Sequence, residues 1–377
     1  MQAEFDTYIA TTTDEEARRY FKRMVDGDPA ALGTWKRFRD LSIEKMMNTY
    51  ARLNIHYDDY SGESQVQEAS MEKAGKIMEE KKVSQLDEGA VMVDLTPYSK
   101  KLGKATVQKK DGTSLYLTRD IGAAFERFDK YAFDRMIYVV ASQQDLHLAQ
   151  LFKIEELMGR KDIADRCQHI NFGMVSGMST RKGTAKFLDD ILRDVADKMH
   201  DVMRGNADKY AQVADPAATA DVLGISAVMV QDMSGKRING YDFDMDRMTS
   251  FEGDTGPYLQ YAHARLCSIM RRVPANPNPD AVVDLSPLYD STHAVNLIRT
   301  LAQWPDVFVN TLKTQEPVTV LTYLFKMTHS LSSSYDHLQV VGSEEGVLRA
   351  RESLYRAARQ VLGNGMRLLG LTPVERM

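Results

Sequence analysis

The sequence predicts an α/β region followed by an all-α module, on two observations. Over residues 118–175 helical and strand-like segments alternate: a helix over 119–130, an apolar strand over 136–140, a helix over about 144–158 and a strand over 169–172. That order is the pattern of a βαβ unit with parallel strands. After Phe187 apolar residues recur only at helical spacing, at Leu188, Ile191, Leu192, Val195, Met199 and Val202, and the segment from about Ser250 onward reads as helix throughout.

Along the chain, residues 14–54 carry helical periodicity, with Pro29 placed as a first-turn residue after Asp28. A charged amphipathic helix is expected over 66–82 and a strand over 90–95. The Asp111-Gly112 pair is a turn signal, and it predicts a hairpin between strands 105–108 and 114–117. In the C-terminal module helices are expected over about 253–272, 292–303, 317–335 and 343–369. The breaks fall at the Pro/Asn-rich loop 274–279, at Pro305 and at Val341-Gly342, and Ser343 is expected to cap the last helix. The chain is thus divided at 1–186, 187–249 and 250–377.

Composition excludes several classes. The chain has 377 residues, of which 43% are hydrophobic and 27% charged, and no apolar run reaches the ~20 residues that span a bilayer. The N-terminal residues Gln2, Glu4 and Asp6 lack the basic start and apolar stretch of a secretory signal. Two cysteines, Cys167 and Cys267, without histidines at ligand spacing indicate neither a disulfide framework nor a protein metal site. A net charge of −5 argues against nucleic acid binding over the whole surface and leaves local basic sites open.

Three segments carry candidate chemistry. The loop Gly177-Met178-Ser179-Thr180-Arg181-Lys182-Gly183-Thr184 brackets two hydroxyls and two cations with glycines, which suits close approach to phosphate. It follows a predicted parallel strand, where α/β folds place ligands. Asp120, in Tyr116-Leu117-Thr118-Arg119-Asp120, reads either as a carboxylate for a cationic ligand or as a residue matched to the start of its helix. The polar group Ser142-Gln143-Gln144-Asp145-Leu146-His147 ends the 136–140 strand and reads either as a ribose or amino-acid contact or as an ordinary helix start. In the helical module Tyr258, Tyr261 and Arg265 fall on one face away from Leu259, Ala262 and Leu266. Stacking on unpaired bases and packing against a neighbouring helix both produce that stripe.

These pieces, in this order, resemble the arginyl-tRNA synthetases over nearly the whole chain, and most of all their eukaryotic, fungal type. The matching segments include Phe38–Ile43, Tyr50–Asn54, Gly62–Ser64, Tyr116–Asp120, Ser142–His147, Met178–Thr184, Glu252–Arg265 and the ending Gly363–Met377. The resemblance implies the C-terminal half of a class I Rossmann-type catalytic domain, carrying an insertion at about 66–114, and then an α-helical anticodon-binding bundle. It implies that Tyr116, Asp120 and Gln144 hold the substrate arginine. Gln143, His147, Met178, Ser179 and Gly183 would contact ATP. Ser179, Thr180, Arg181 and Lys182 match the second class I signature, with Gly177 where its first lysine usually stands. Tyr258, Tyr261, Arg265, Tyr335 and Met377 match positions near the anticodon loop.

The implied activity is ligation of L-arginine to its cognate tRNA, with ATP and Mg2+ as substrate, by a cytoplasmic or mitochondrial monomer that has no membrane contact. The first class I signature, a His-x-Gly-His motif, is found at none of the eight histidines. The family pattern therefore reads as N-terminally truncated, and the isolated chain is expected to be weakly active or inactive. A non-catalytic tRNA-binding or scaffold protein is the competing expectation.

Overall fold

Asp28 caps the second of the first two helices. Its Oδ1 accepts hydrogen bonds from the amides of Ala30 (2.9 Å) and Ala31 (3.3 Å), and Pro29 fills the first turn of α2 (Pro29–Arg52), as the sequence predicts. The hydrogen bond from the Arg23 guanidinium and those amide bonds hold the Asp28 carboxyl below the ordinary carboxylate range. Together with α1 (Gln2–Val25), α2 makes up a unit of residues 1–60, and residues 61–377 form a second unit. The computed structural model describes residues 2–110, 115–176, 187–278 and 281–377. The loop at 177–186 and the Asp111-Gly112 turn lie outside the described residues.

The second unit begins with α3 (Glu68–Glu80) and an antiparallel sheet of β1 (Gln85–Asp87), β2 (Ala90–Asp94) and β3 (Lys104–Gln108), in that order. The predicted 105–108 strand pairs with β2, by the register Val93 to Ala105, and of its expected partner strand the described residues 115–117 are not in a strand. Tyr116 and Leu117 already belong to α4 (Tyr116–Tyr131), because Leu117 sits on the buried stripe that continues through Ile121, Ala124 and Phe125. Next come β4 (Met136–Ala141), α5 (Asp145–Leu157), α6 (Lys161–Ala164) and β5 (Cys167–Phe172). β4 and β5 pair in parallel, with Met136 opposite Cys167 and Ala141 opposite Phe172, which is the βαβ unit the alternation predicts. Its core joins Met78 of α3, Val93 and Val107 of the sheet, Ile121 and Phe125 of α4, and Leu151 and Ile154 of α5.

A two-residue parallel pair follows, β6 (Val175–Ser176) with β7 (Tyr241–Asp242). Between them run α7 (Leu188–Arg204), α8 (Ala207–Tyr210) and α9 (Pro216–Met233), with Val195 and Met199 packed against Leu223 and Ala227. α10 (Met245–Met248) leads to the C-terminal bundle of α11 (Gly256–Arg272), α12 (Thr292–Ala302), α13 (Trp304–Thr314), α14 (Pro317–Ser334) and α15 (Glu345–Leu368). Leu259, Leu297, Leu324, Tyr355 and Leu362 lie in its core.

Two expectations are corrected here. A helix does end just before Pro305, with α12 closing at Ala302, but no loop runs on to 317: Pro305 occupies the first turn of a further helix, α13, where the missing amide costs no helix bond. Ser343 does not cap α15: Glu344 holds the cap position, and the Ser343 hydroxyl donates instead to the Gln339 carbonyl at 2.7 Å.

Candidate active site and a second cavity in the bundle

Tyr116 and Asp120 stand one turn apart on the same face of α4, and the Thr118 hydroxyl, donating to the Val107 carbonyl, fixes the start of that helix on β3. Asp120 lies in the second turn, past the free amides that a capping residue serves. Its Oδ2 is 2.6 Å from His147 Nε2, at the beginning of α5. The two helices thus bring the Tyr116–Asp120 and Ser142–His147 segments together. They line a cavity of about 410 Å3 with Gln144, Tyr138, Arg127 and Glu63. Gln143 is not among its lining residues.

The cavity is suited to a planar cation. One carboxylate oxygen of Asp120 faces His147, and Oδ1, which has no hydrogen-bond partner among the described residues, is left to accept from a donor outside. Glu63 at the rim is paired with Arg119 at 3.5 Å, and Arg127 places a guanidinium in the same lining, which leaves Asp120 as the lining carboxylate without an arginine or lysine partner among the described residues. Sequence reading missed Glu63, Arg127 and Tyr138 as parts of this site. Arg127 is legible afterwards, since it continues the Tyr116, Asp120 face of α4 two turns on.

Behind the cavity, Glu155 of α5 is fully buried, and both its carboxyl oxygens lack a hydrogen bond among the described residues. Burial, reinforced by the charges of Asp120 and Asp162 and opposed by Arg160, pushes this carboxyl up to about 8. Burial likewise pushes the neighbouring Cys167 thiol up to about 12 and raises the Tyr138 phenol, whose hydroxyl also lacks a hydrogen bond among the described residues. The folded protein therefore keeps a proton that unfolded Glu155, with its ordinary value of 4.5, releases. Its contribution is fully present below 4.5 and is lost as pH rises towards 8. Urea midpoints measured from pH 5 to 8 are expected to fall by an amount equivalent to roughly 3 kcal/mol of stability. In Glu155→Gln that slope should be largely absent.

At the carboxyl ends of the parallel strands, Asn171 donates to Asp145 Oδ1 at 2.9 Å and His169 Nε2 faces the Val140 carbonyl at 2.9 Å. The chain then enters β6, with Gly173 N donating to the Arg237 carbonyl (2.7 Å) and Arg237 Nη1 to the Asn171 carbonyl (2.9 Å). These bonds fix the entry to the segment carrying Met178, Ser179, Thr180, Arg181, Lys182 and Gly183, which lie outside the described residues.

In the bundle, a second cavity of about 790 Å3 collects Tyr261, Arg265, Tyr335 and Met377 with Lys209 and Arg272. The Arg265 guanidinium lies 3.8 Å from the centre of the Tyr335 ring, and Lys209 Nζ is 5.4 Å from that of Tyr261. The Tyr335 hydroxyl is buried without a partner among the described residues, and burial raises its pKa. The sequence stripe therefore divides. Tyr261 and Arg265 open onto the cavity, whereas the Tyr258 hydroxyl is 3.2 Å from Ser332 Oγ and its ring is 5.9 Å from that of His329.

Met377 reaches the cavity because Gln260, fully buried on α11, holds the tail from both sides of its amide. Its Nε2 donates to the Thr372 carbonyl (2.8 Å) and the Ser226 hydroxyl (2.9 Å), and its Oε1 accepts from Val374 N (2.8 Å). Sequence reading passed over Gln260, although a polar residue on the core face beside Leu259 was the available signal.

A parallel βαβ unit with a polar site at its strand ends, followed by a helical bundle with a cationic and aromatic cavity, is the organisation of a class I aminoacyl-tRNA synthetase. Residues 2–245 match the family model for tRNA synthetases class I (R), catalytic domain, and residues 259–377 match that for the DALR anticodon binding domain. The chain belongs to this class I (R), arginyl, family of tRNA synthetases.

Among its relatives, the cytoplasmic arginine–tRNA ligase of Saccharomyces cerevisiae is 60% identical over 369 residues, covering 98% of this chain and 61% of the relative. The mitochondrial enzyme of the same yeast is 50% identical over 364 residues, covering 96% and 56%. The chain thus spans about three fifths of the length of the curated relatives it matches. In fold it is similar to the Plasmodium falciparum arginyl-tRNA synthetase, with a TM-score of 0.83 at 21% identity over 98% of this chain and 63% of the other. No described helix is long and apolar enough to cross a membrane, and the described residues contain no group of three or more His, Cys, Asp or Glu able to hold a metal ion.

Proposed function

We propose that the protein acts as an arginine–tRNA ligase. The observation that carries this reading is the Asp120 carboxylate, set between Tyr116 and Gln144 in a cavity of an arginyl-family chain. In this reading Asp120 accepts the guanidinium of L-arginine, and Tyr116 and Gln144 orient it. The arginine carboxylate attacks the α-phosphorus of ATP, bound as its magnesium complex, forming the adenylate and releasing pyrophosphate. A ribose hydroxyl of the terminal adenosine of tRNA then takes the arginyl group and AMP leaves. Ser179, Thr180, Arg181 and Lys182 would neutralise the phosphate charge, and Gln143, His147, Met178 and Gly183 would seat the nucleotide.

Residues 1–186 are assigned to the catalytic domain, 187–249 to a connecting region and 250–377 to the anticodon-binding domain. Tyr258, Tyr261, Arg265, Tyr335 and Met377 are assigned to the anticodon loop of tRNA(Arg), and the protein is taken to act as a cytoplasmic monomer. The cytoplasmic yeast relative supports that location.

The test is arginine-dependent ATP–pyrophosphate exchange and arginyl-tRNA formation, in the presence of tRNA, by the longest form of the protein its gene encodes. Specificity for any other amino acid would overturn the reading. For this chain, Arg265→Ala is expected to weaken tRNA binding about tenfold, through loss of the cationic stacking partner of Tyr335. Filter binding at fixed salt checks this.

A further inference from the structure

We propose that the C-terminal bundle carries a second, phosphate-binding pocket on the face of α11 opposite the Tyr261 and Arg265 cavity, built from Arg359, Arg367, Asn364 and His263. The pocket has a volume of about 320 Å3 and lies between α11, α15 and the C-terminal tail. Arg356 and Arg359 line it from neighbouring turns of α15, and Arg367 from two turns further on. Arg356 is paired with Glu352, whereas Arg359 and Arg367 have no carboxylate within 4.0 Å among the described residues. Glu375 of the tail is the one carboxylate in the lining, so the pocket keeps an excess of positive charge.

Two further observations point to a ligand. His263 Nδ1 lies 2.8 Å from the Val374 carbonyl and so carries the proton of that bond, which leaves Nε2 turned to the pocket as an acceptor. An acceptor beside two guanidinium groups suits a phosphate P–OH or a ribose hydroxyl next to a phosphodiester. Gly363 stands beside two of the lining residues in the last turns of α15, where glycine costs about 1 kcal/mol relative to alanine. The nearest atoms to a side chain there would be the ends of Arg367 (Nη1, 3.1 Å) and His263 (Nε2, 3.4 Å). Gly365, by contrast, is required by the core, since its Cβ would fall 2.6 Å from Leu324. The missing side chain at 363 keeps open the space between the two groups that would grip an oxyanion.

The ligand class is a phosphate oxyanion, from solution or from an RNA backbone, and the pocket does not depend on the proposed activity. Two arms tell the sources apart with the 377-residue chain. Inorganic phosphate is titrated while Tm is followed, and tRNA binding is measured against salt. A solution ligand gives a saturable rise in Tm that is lost in Arg359→Gln/Arg367→Gln and reduced in Gly363→Ala, which keeps every charge. A backbone ligand gives no such rise, but the slope of log affinity against log salt falls by about one to two in the double variant, at roughly 0.7–0.9 per phosphate contact. Saturable phosphate binding that survives in both variants, or neither effect in the parent chain, overturns the proposal.

Discussion

Replacing Asp120 by Asn is expected to weaken L-arginine binding by about two orders of magnitude, corresponding to roughly 3 kcal/mol for a charge-assisted pair in a half-exposed site. The substitution keeps size and shape, but it turns a twofold acceptor into a group that presents an amide donor towards another donor. The carboxylate side chain is 35% exposed, so the loss should stay below that of a fully buried pair. His147 supplies a control: His147→Gln keeps a side chain that donates to Oδ2 and should cost far less than Asp120→Asn. Calorimetric titration with arginine checks both. Equal losses in the two variants would mean that the Asp120–His147 contact is a structural bond and not the edge of a binding site.

Gly256→Ala should destabilise the protein by about 3 kcal/mol. Gly256 opens α11 where that helix crosses α9, and a Cβ there would lie 2.1 Å from the Ser226 carbonyl oxygen and 2.7 Å from Ala227 N. Both are backbone atoms, so no rotamer change relieves the overlap and the two helices must separate. Separation pulls the Ser226 hydroxyl away from Gln260, the residue that also fixes the Thr372 carbonyl and Val374 amide. The same variant should therefore loosen Met377 in the bundle cavity. Urea unfolding measures the first effect. Gly346→Ala, where a Cβ meets nothing within 4 Å, should leave stability unchanged or slightly raised.

The parts of the fold legible in the sequence were those set by local periodicity. The β4–α5–β5 unit was legible because apolar runs and helical stripes alternate there at the right lengths. The hairpin at 105–117 was misread because turn chemistry at Asp111-Gly112 says nothing about partners, and β3 finds a better buried neighbour in β2. α13 was missed because a proline that breaks a helix and one that begins it look alike without the flanking geometry. The β6–β7 pair joins residues 175 and 241, a separation at which two-residue strands carry no signal.

The candidate site follows the same rule. Tyr116, Asp120, Gln144 and His147 were legible as two separate segments, but the cavity they share with Glu63 and Arg127 comes from the crossing of α4 and α5. Tyr335 became legible as the partner of Arg265 only once α14 had been placed against α11.

The central claim is that the Asp120 cavity reads the charge of a guanidinium. It is tested most directly by titrating the protein, with tRNA present, with L-arginine and then with L-citrulline, which has nearly the same shape but a neutral urea group. Saturable arginine binding that Asp120→Asn weakens about a hundredfold is expected, with citrulline at least about a hundredfold weaker than arginine. Binding of citrulline as tight as that of arginine, or arginine binding that Asp120→Asn leaves intact, would contradict it.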